Sequence, residues 1–173
     1  MKALKIIIIA LLVVIGIPLI IALFLPKDFN AGSEIVINRP KEEVFNYVKY
    51  VENQENYGVW QLSDPSIKKT TKGVDGTVGY VYQWKGEKTG KGKQTITAIK
   101  ANERIDSELD FGFGEPAQAY MVVSDEGSNQ TRVVWRISGK SPYPFNFMGL
   151  FYDMNKDFEK GLQNLKEVLE GSM

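Results

Sequence analysis

The chain has 173 residues, 43% of them apolar and 24% charged, which suits one folded domain with a short additional segment. It contains no cysteine and no histidine, so disulfides, thiolate nucleophiles and cysteine- or histidine-ligated metals are excluded. The net charge is zero, and residues 27–173 carry 19 basic against 21 acidic side chains, without the basic excess that nucleic-acid binding needs. We therefore expect no metal, no other cofactor and no nucleic-acid partner.

The N-terminal residues have the pattern of a membrane anchor. Residues 6–25 form a run of 20 uncharged residues preceded by Lys2 and Lys5. At a helical rise of ~1.5 Å per residue this run spans the ~30 Å hydrocarbon core of a bilayer. The alternative is a cleavable signal peptide, whose apolar region is usually ~7–15 residues long and closely followed by a cleavage site. Because the nearest small-x-small pattern is residues 31–33, we interpret residues 1–28 as an uncleaved transmembrane anchor. The two lysines predict a cytoplasmic N-terminus and an extracytoplasmic domain.

Residues 29–173 are predicted to form one domain that begins with a strand at 29–38. Pro40 suits the first turn of a helix, which would bury Val44, Phe45 and Val48. A second short helix or turn is predicted at 53–62.

The middle of this domain alternates between strands and turns. The clearest period-two segment is 78–84, and further strands are predicted at 93–100 and 103–111. Residues 117–124 and 131–138 are predicted to form a hairpin. The order indicates an antiparallel meander.

A long amphipathic helix is predicted at 147–171, with Gly171 at its C-terminal cap. Its apolar side chains recur at steps of three and four and therefore share one face: Phe151, Met154, Phe158, Leu162, Leu165 and Leu169. This wide stripe needs a large curved partner. The sequence therefore predicts an α+β fold in which one sheet packs around one helix.

Three stretches resemble the START-like (SRPBCC) superfamily, and its polyketide cyclase/dehydrase-like branch in particular. They are the strand, proline and Val-Phe helix at 35–45, the Gly-x-Gly-x-x-x-Ile pattern within 90–99, and the helix at 158–166. The resemblance covers nearly all of residues 29–171. It implies a helix-grip fold, in which a curved antiparallel sheet wraps around a long C-terminal helix, here preceded by one transmembrane helix. It also implies an apolar cavity for a lipid, sterol, polyketide or other hydrophobic ligand, and some members are enzymes.

The residues that we expect to bind such a ligand are large and mostly aromatic. Tyr57 and Trp60 lie where the family has the mobile rim of its cavity. The expected lining residues are Tyr80, Tyr82, Trp84, Phe111, Met121, Trp135, Met154, Phe158 and Leu162. Taken singly, most of these side chains are better explained as ordinary core, because a sheet face packed on a helix needs large side chains.

The charged residues in the strands have two interpretations. Asp106, Glu108 and Asp110 share one face and could form an acid–base or divalent-ion site, but such a row is more often the solvent face of an outer strand. Arg104, Arg132 and Arg136 could orient a ligand carboxylate or pair with these carboxylates. Asn129 begins a glycosylation sequon in the hairpin turn.

Together these patterns predict a membrane-anchored protein that binds a lipid-like or polyketide-like molecule between the sheet and the last helix. One alternative is an aromatase/cyclase-like enzyme that uses an acid or phenol in the cavity, such as Tyr82 or Glu115. Another is a structural domain that binds a protein partner and has no cavity. The ligand and the oligomeric state are not predicted.

Overall fold

The computed structural model describes residues 2–171. Four α-helices, seven strands and two 3-10 helices occur in these residues. In chain order they are α1 (Lys2–Phe24), β1 (Asp28–Ile37), α2 (Lys41–Val48), a 3-10 helix (Val51–Asn56), α3 (Val59–Ser63), β2 (Lys68–Lys72), β3 (Val81–Gly86), β4 (Gly90–Lys100), β5 (Arg104–Asp110), β6 (Ala117–Gly127), β7 (Gln130–Lys140), a second 3-10 helix (Phe145–Leu150) and α4 (Met154–Glu170).

Helix α1 stands apart from the core. Its segment Leu4–Phe24 is long and apolar enough to cross a membrane, and its large apolar side chains are mostly exposed. Its C-terminal end is held by the buried side chain of Asn146, which donates hydrogen bonds to the carbonyl oxygens of Ala22 and Leu25 at 2.7 and 3.2 Å. These bonds satisfy carbonyls that a helix end otherwise leaves without a partner.

The seven strands form one antiparallel sheet in the order β1-β7-β6-β5-β4-β3-β2. Strands from β3 to β7 follow one another through hairpins, and β1 joins at the far edge by pairing with β7. Burial alternates along β6 and β7, so one face of each strand forms the core. The fold is α+β and matches the predicted helix-grip arrangement.

Helix α4 lies along the edge strand β1. Gly32 N–H donates to the Asn155 side chain at 3.0 Å, and Lys166 donates to the Val36 carbonyl oxygen at 2.7 Å. The helix thereby covers backbone groups that an edge strand would otherwise expose. Its buried side is formed by Phe158, Gly161, Leu162, Leu165 and Leu169.

The predicted long helix at 147–171 is too long at its start. Asp153 has an extended backbone and its carboxylate accepts the N–H of Asn155, so the α-helix begins only at Met154. Residues Phe145–Leu150 form a 3-10 helix instead, and Phe151 is 74% exposed rather than part of the buried stripe. Gly171 does cap the helix, as predicted.

Strand β3 begins at Val81 rather than at residue 78. Gly76 and Gly79 both have positive φ values, of 75° and 88°, so the chain turns until just before the strand. The preceding strand, β2, is exposed along its whole length and has no apolar alternation, which is why the sequence pattern did not define its limits.

Candidate functional site

A cavity of about 170 Å³ lies between the inner face of the sheet, α3 and the first turns of α4, and we call it the inner cavity. Its walls come from strands β3 to β7, both short helices after α2, and α4. The lining residues are Gln54, Trp60, Gln61, Ile67, Tyr82, Trp84, Thr89, Gln94, Leu109, Phe111, Ala119, Trp135, Ile137, Met154 and Phe158. The cavity is therefore mainly apolar, with a few amide and hydroxyl groups.

Seven of the eleven residues expected at the site line this cavity. They are Trp60, Tyr82, Trp84, Phe111, Trp135, Met154 and Phe158. Trp135 and Phe158 meet edge to face with ring centroids 4.9 Å apart, so the rings form a continuous wall. Gly161 allows this contact, because a Cβ on this residue would lie 3.0 Å from the Trp135 ring.

The other four expected residues lie in the surrounding core. Tyr80, Met121 and Leu162 are buried but do not line the inner cavity. Tyr57 was expected at a mobile rim, whereas it is 0% exposed and packs edge to face on Trp135 at 5.7 Å. Burial raises the pKa of its phenol, and its hydroxyl has no hydrogen-bond partner within residues 2–171.

The sequence analysis did not single out the polar residues of the cavity. Gln54 is 7% exposed and lines the cavity, and its side-chain amide makes no hydrogen bond to any part of the described chain. The neighbouring Gln61 has a buried amide oxygen that is likewise without a partner there. Both residues lie in short helices without an apolar period, so no sequence pattern marks them. An unpartnered buried amide can donate to and accept from a bound molecule.

Ala119 and Ile137 were also missed, although a signal exists for both. Each lies two residues from a large residue that the pattern did identify, Met121 and Trp135 respectively, on the same strand face.

The phenols of Tyr80 and Tyr82 take part in an ionic network. Tyr80 donates to Glu52 at 2.9 Å and Tyr82 donates to Glu55 at 3.2 Å. Lys69 joins both carboxylates at 2.8 Å. Burial and the nearby Glu55 charge raise the pKa of Tyr82 to about 12, and hydrogen bonds from Lys69 and Tyr80 lower the pKa of Glu52. Tyr82 is thus a neutral hydrogen-bond donor at neutral pH.

Trp60 covers one side of the inner cavity. Its ring contacts Phe158 edge to face at 5.2 Å, and its indole N–H donates to the Tyr152 hydroxyl at 3.3 Å. Tyr152 in turn donates to Asp157. This chain of contacts joins α3 to the start of α4 across the cavity.

The loop that follows α3 is fastened to the β3–β4 turn by Asp64. Its buried carboxylate accepts hydrogen bonds from the Ser66 hydroxyl and from the backbone N–H groups of Lys88 and Thr89, at 2.5 to 2.9 Å. These bonds hold the pKa of Asp64 well below its usual range, and the bond from Ser66 has the largest effect.

A second and larger space of about 680 Å³ adjoins the inner cavity, and we call it the outer groove. It lies between the end of α1, the start of β1, the loop after β5 and the residues before α4. Phe111 and Met154 line both spaces, so only these two side chains are shared between them. Glu115 lies in the outer groove, 3.1 Å from Lys140, and not in the inner cavity.

The strand carboxylates lie on the outer face of the sheet. Arg104 pairs with Asp106 at 2.7 Å and stacks over the Tyr120 ring, while Asp110 lies 3.4 Å from Lys93. On the same side of the sheet, Arg132 pairs with Glu126 and Glu34. Arg104 and Arg132 therefore pair with acidic residues on a solvated surface. Within residues 2–171 no group of three or more Asp and Glu side chains could hold a metal ion.

Solved structures with this architecture are numerous. A solution structure of a protein from Thermobifida fusca aligns with a TM-score of 0.64 at 15% identity, covering 82% of this chain and 93% of that one. Norcoclaurine synthase of Thalictrum flavum, a point mutant in complex with a transition-state analogue, aligns at 0.62 with 8% identity and coverages of 83% and 95%. The Aha1 dimer from Colwellia psychrerythraea aligns at 0.59 with 16% identity and coverages of 82% and 96%. At these identities the likeness concerns the fold alone.

Comparison with curated proteins gives no match. The model of one family, described as polyketide cyclase / dehydrase and lipid transport, matches residues 29–170. This match covers the sheet, the inner cavity and α4, and leaves out the apolar helix α1. The chain therefore belongs to the polyketide cyclase/dehydrase and lipid transport family.

Proposed function

We propose that this chain is a membrane-anchored protein that binds a hydrophobic, lipid-like or isoprenoid-like ligand between its sheet and α4. The observation that carries this proposal is the inner cavity, whose wall is mainly apolar and includes the buried amide oxygen of Gln61, which has no hydrogen-bond partner within residues 2–171. Ligand sites are typically of this kind, apolar with a few polar groups that fix orientation. The amides of Gln54 and Gln61 favour a ligand with one hydroxyl or carbonyl group.

The volumes indicate the shape of the ligand. An apolar cavity of roughly 150 Å³ accommodates benzene, whereas ligand pockets usually measure about 300–1,000 Å³. The inner cavity, at about 170 Å³, therefore holds one ring or the end of one chain. A longer molecule must continue into the outer groove, past Phe111 and Met154. An extended chain can pass between these two side chains more easily than a rigid fused-ring compound can.

The proposed anchor is α1. Its apolar side chains are exposed around the helix, which is unfavourable in water and favourable in lipid. Lys2 and Lys5 favour a cytoplasmic N-terminus, with residues 29–173 outside the cytoplasm. Tethering to the bilayer by a few residues gives the domain a high effective concentration of membrane lipids.

The arrangement of ionisable groups favours binding over the cyclase-like alternative. Among the described residues that line the inner cavity, Tyr82 is the one ionisable group, and its hydroxyl is directed to Glu55. Glu115 lies in the other space and pairs with Lys140. A proton-transfer site needs groups that converge on one substrate atom, and these two do not converge.

The test is native mass spectrometry of the full-length protein purified from membranes, with organic extraction and lipid analysis of the same sample. We expect a co-purified hydrophobic molecule in stoichiometric amount. Ala119→Leu should lose it, because Ala119 lines the inner cavity, whereas Val123→Leu should retain it, because this core residue lies on the same strand face but outside the cavity. An empty protein that also fails to bind a panel of acyl chains and polyketides would contradict the proposal.

A further inference from the structure

An uncharged, exposed surface lies beside the C-terminal end of α1. It consists of Phe113, Phe145, Met148, Leu150 and Phe151, each between 54% and 74% exposed, and we call it the apolar platform. Residues 141–152, which supply four of these side chains, contain no charged residue. Monomeric proteins rarely expose a contiguous apolar area of this kind without using it.

The position of the platform relative to α1 is fixed by specific contacts. Asn146, between two platform residues, donates to the carbonyl oxygens of Ala22 and Leu25. Ala22 is completely buried. If α1 spans the bilayer, the platform must lie at the depth where the span ends. Tyr and Trp are enriched at this depth because their rings are amphipathic, and Tyr143 and Tyr152, 40% and 49% exposed, lie in the same segment as the platform.

A row of aromatic rings connects the platform with the inner cavity. Phe145 lies 5.7 Å from Phe113, Phe113 lies 6.5 Å from Phe111, and Phe111 lies 6.1 Å from Trp84, measured between ring centroids. Phe145 and Phe113 line the outer groove, Trp84 lines the inner cavity, and Phe111 lines both. An apolar chain could follow these rings from the surface inward without leaving an apolar environment.

The charges around the outer groove indicate which membrane suits it. Lys27 and Lys140 are basic, whereas Asp28, Glu115 and Asp153 are acidic. The groove thus has no positive excess to attract anionic headgroups. A neutral or zwitterionic lipid surface matches it better.

From these observations we infer that the apolar platform is seated in the bilayer interface and that the outer groove is the entrance by which one acyl chain of a membrane lipid reaches the inner cavity. This inference rests on the proposed function. Phe111 and Met154 form the passage between the two spaces. The partner of the platform is the lipid surface itself.

The first part is tested with the full chain in phosphatidylcholine nanodiscs. Because the sequence has no cysteine, Met148→Cys and Ser128→Cys each give a single site for a nitroxide label. Ser128 lies in the turn between β6 and β7, beyond Ile37, the last residue of β1. Ile37 is nine residues after Asp28 in a strand that rises ~3.3 Å per residue, so the two ends of β1 are about 30 Å apart. We expect the label at 148 to collide with dissolved oxygen and to be shielded from a water-soluble nickel chelate, and the label at 128 to show the reverse. Equal access of the chelate to both labels would overturn the inference. So would a short, fixed distance between labels at 148 on two copies, since a second copy would then cover the platform.

The second part uses the native tryptophans. Trp60, Trp84 and Trp135 all line the inner cavity, so a brominated acyl chain that enters it should quench their fluorescence. We expect quenching in nanodiscs of dibrominated phosphatidylcholine, and loss of this quenching in Ala119→Leu with the label at 148 still shielded. Quenching that is unchanged in Ala119→Leu would overturn the entry route. A shielded label in a protein without any bound hydrophobe would refute the proposed function but leave the seating of the platform intact. A bound hydrophobe in a protein whose label at 148 is exposed to water would support the proposed function but refute the seating of the platform.

Discussion

Filling the inner cavity from Ala119 should stabilise the protein while removing its ligand site. Leucine adds three carbon atoms to a side chain that faces about 170 Å³ of free space. At ~0.8 kcal/mol per buried methylene the gain is about 2.4 kcal/mol, and the lost rotamer freedom of leucine reduces it by ~0.5–1 kcal/mol. We therefore expect Ala119→Leu to raise the free energy of unfolding by about 1–2 kcal/mol. Filling the whole cavity, at ~24 cal/mol per Å³, would give an upper limit of ~4 kcal/mol, and the expected gain lies below it.

The assay is chemical denaturation of the full-length protein in detergent, after removal of bound hydrophobes. Val123→Leu is the matched control, because Val123 is buried on the same face of β6 without lining the cavity. Overpacking there should cost about 1–3 kcal/mol. If Ala119→Leu destabilises the protein as much as Val123→Leu does, the space beside Ala119 is already filled and is not available to a ligand.

Three further changes have defined outcomes. Leu162→Trp should destabilise the protein by about 1–3 kcal/mol, because Leu162 lies in solid core outside the cavity, and unchanged stability in a denaturant titration would contradict this placement. Trp60→Phe removes the hydrogen bond to Tyr152 and should cost about 0.5–1.5 kcal/mol while accelerating ligand release; an unchanged release rate in stopped-flow dye displacement would show that Trp60 does not cover the site. Asp64→Asn should lower the melting temperature at pH 7. Because the folded pKa of Asp64 lies below its ordinary value of 3.8, its stabilising effect is present above that pH and is lost as the pH falls through the folded pKa, so the two melting curves should converge in acid. A constant difference across this range would contradict the role of the carboxylate.

The sequence predicted those parts of the fold that depend on local periodicity. The stripe of Phe158, Leu162, Leu165 and Leu169 marked the buried side of α4, and the period-two segment around Tyr82 and Trp84 marked β3. The start of α4 was misplaced because Phe147 and Phe151 fit the helical spacing, whereas the cap at Asp153 begins a new element. Spacing alone does not show where one helix ends and another begins.

The candidate site was only partly predictable for a different reason. Gln54 and Gln61 come close to the cavity through the packing of two short helices, and no period marks polar residues in such helices. Tyr57 looks like a rim residue beside Gly58, but its burial depends on contact with Trp135, 78 positions later in the chain. The outer groove is formed by three separate stretches, within residues 25–31, 111–117 and 140–155, which only the tertiary structure brings together.

The most direct test of a ligand held between the sheet and α4 is methyl NMR of the full-length protein. The chain has five methionines, so their ε-methyl signals are readily assigned by single substitutions. Met154 lines the inner cavity, whereas Met121 is buried nearby without lining it. On titration with dodecanol, a single-chain probe with one hydroxyl group, we expect a large shift of the Met154 methyl signal, cross-relaxation between this methyl and the probe, and an unchanged Met121 signal. Shifts confined to Met148 on the surface, or no shift at Met154 at saturating dodecanol, would contradict a ligand site between the sheet and α4.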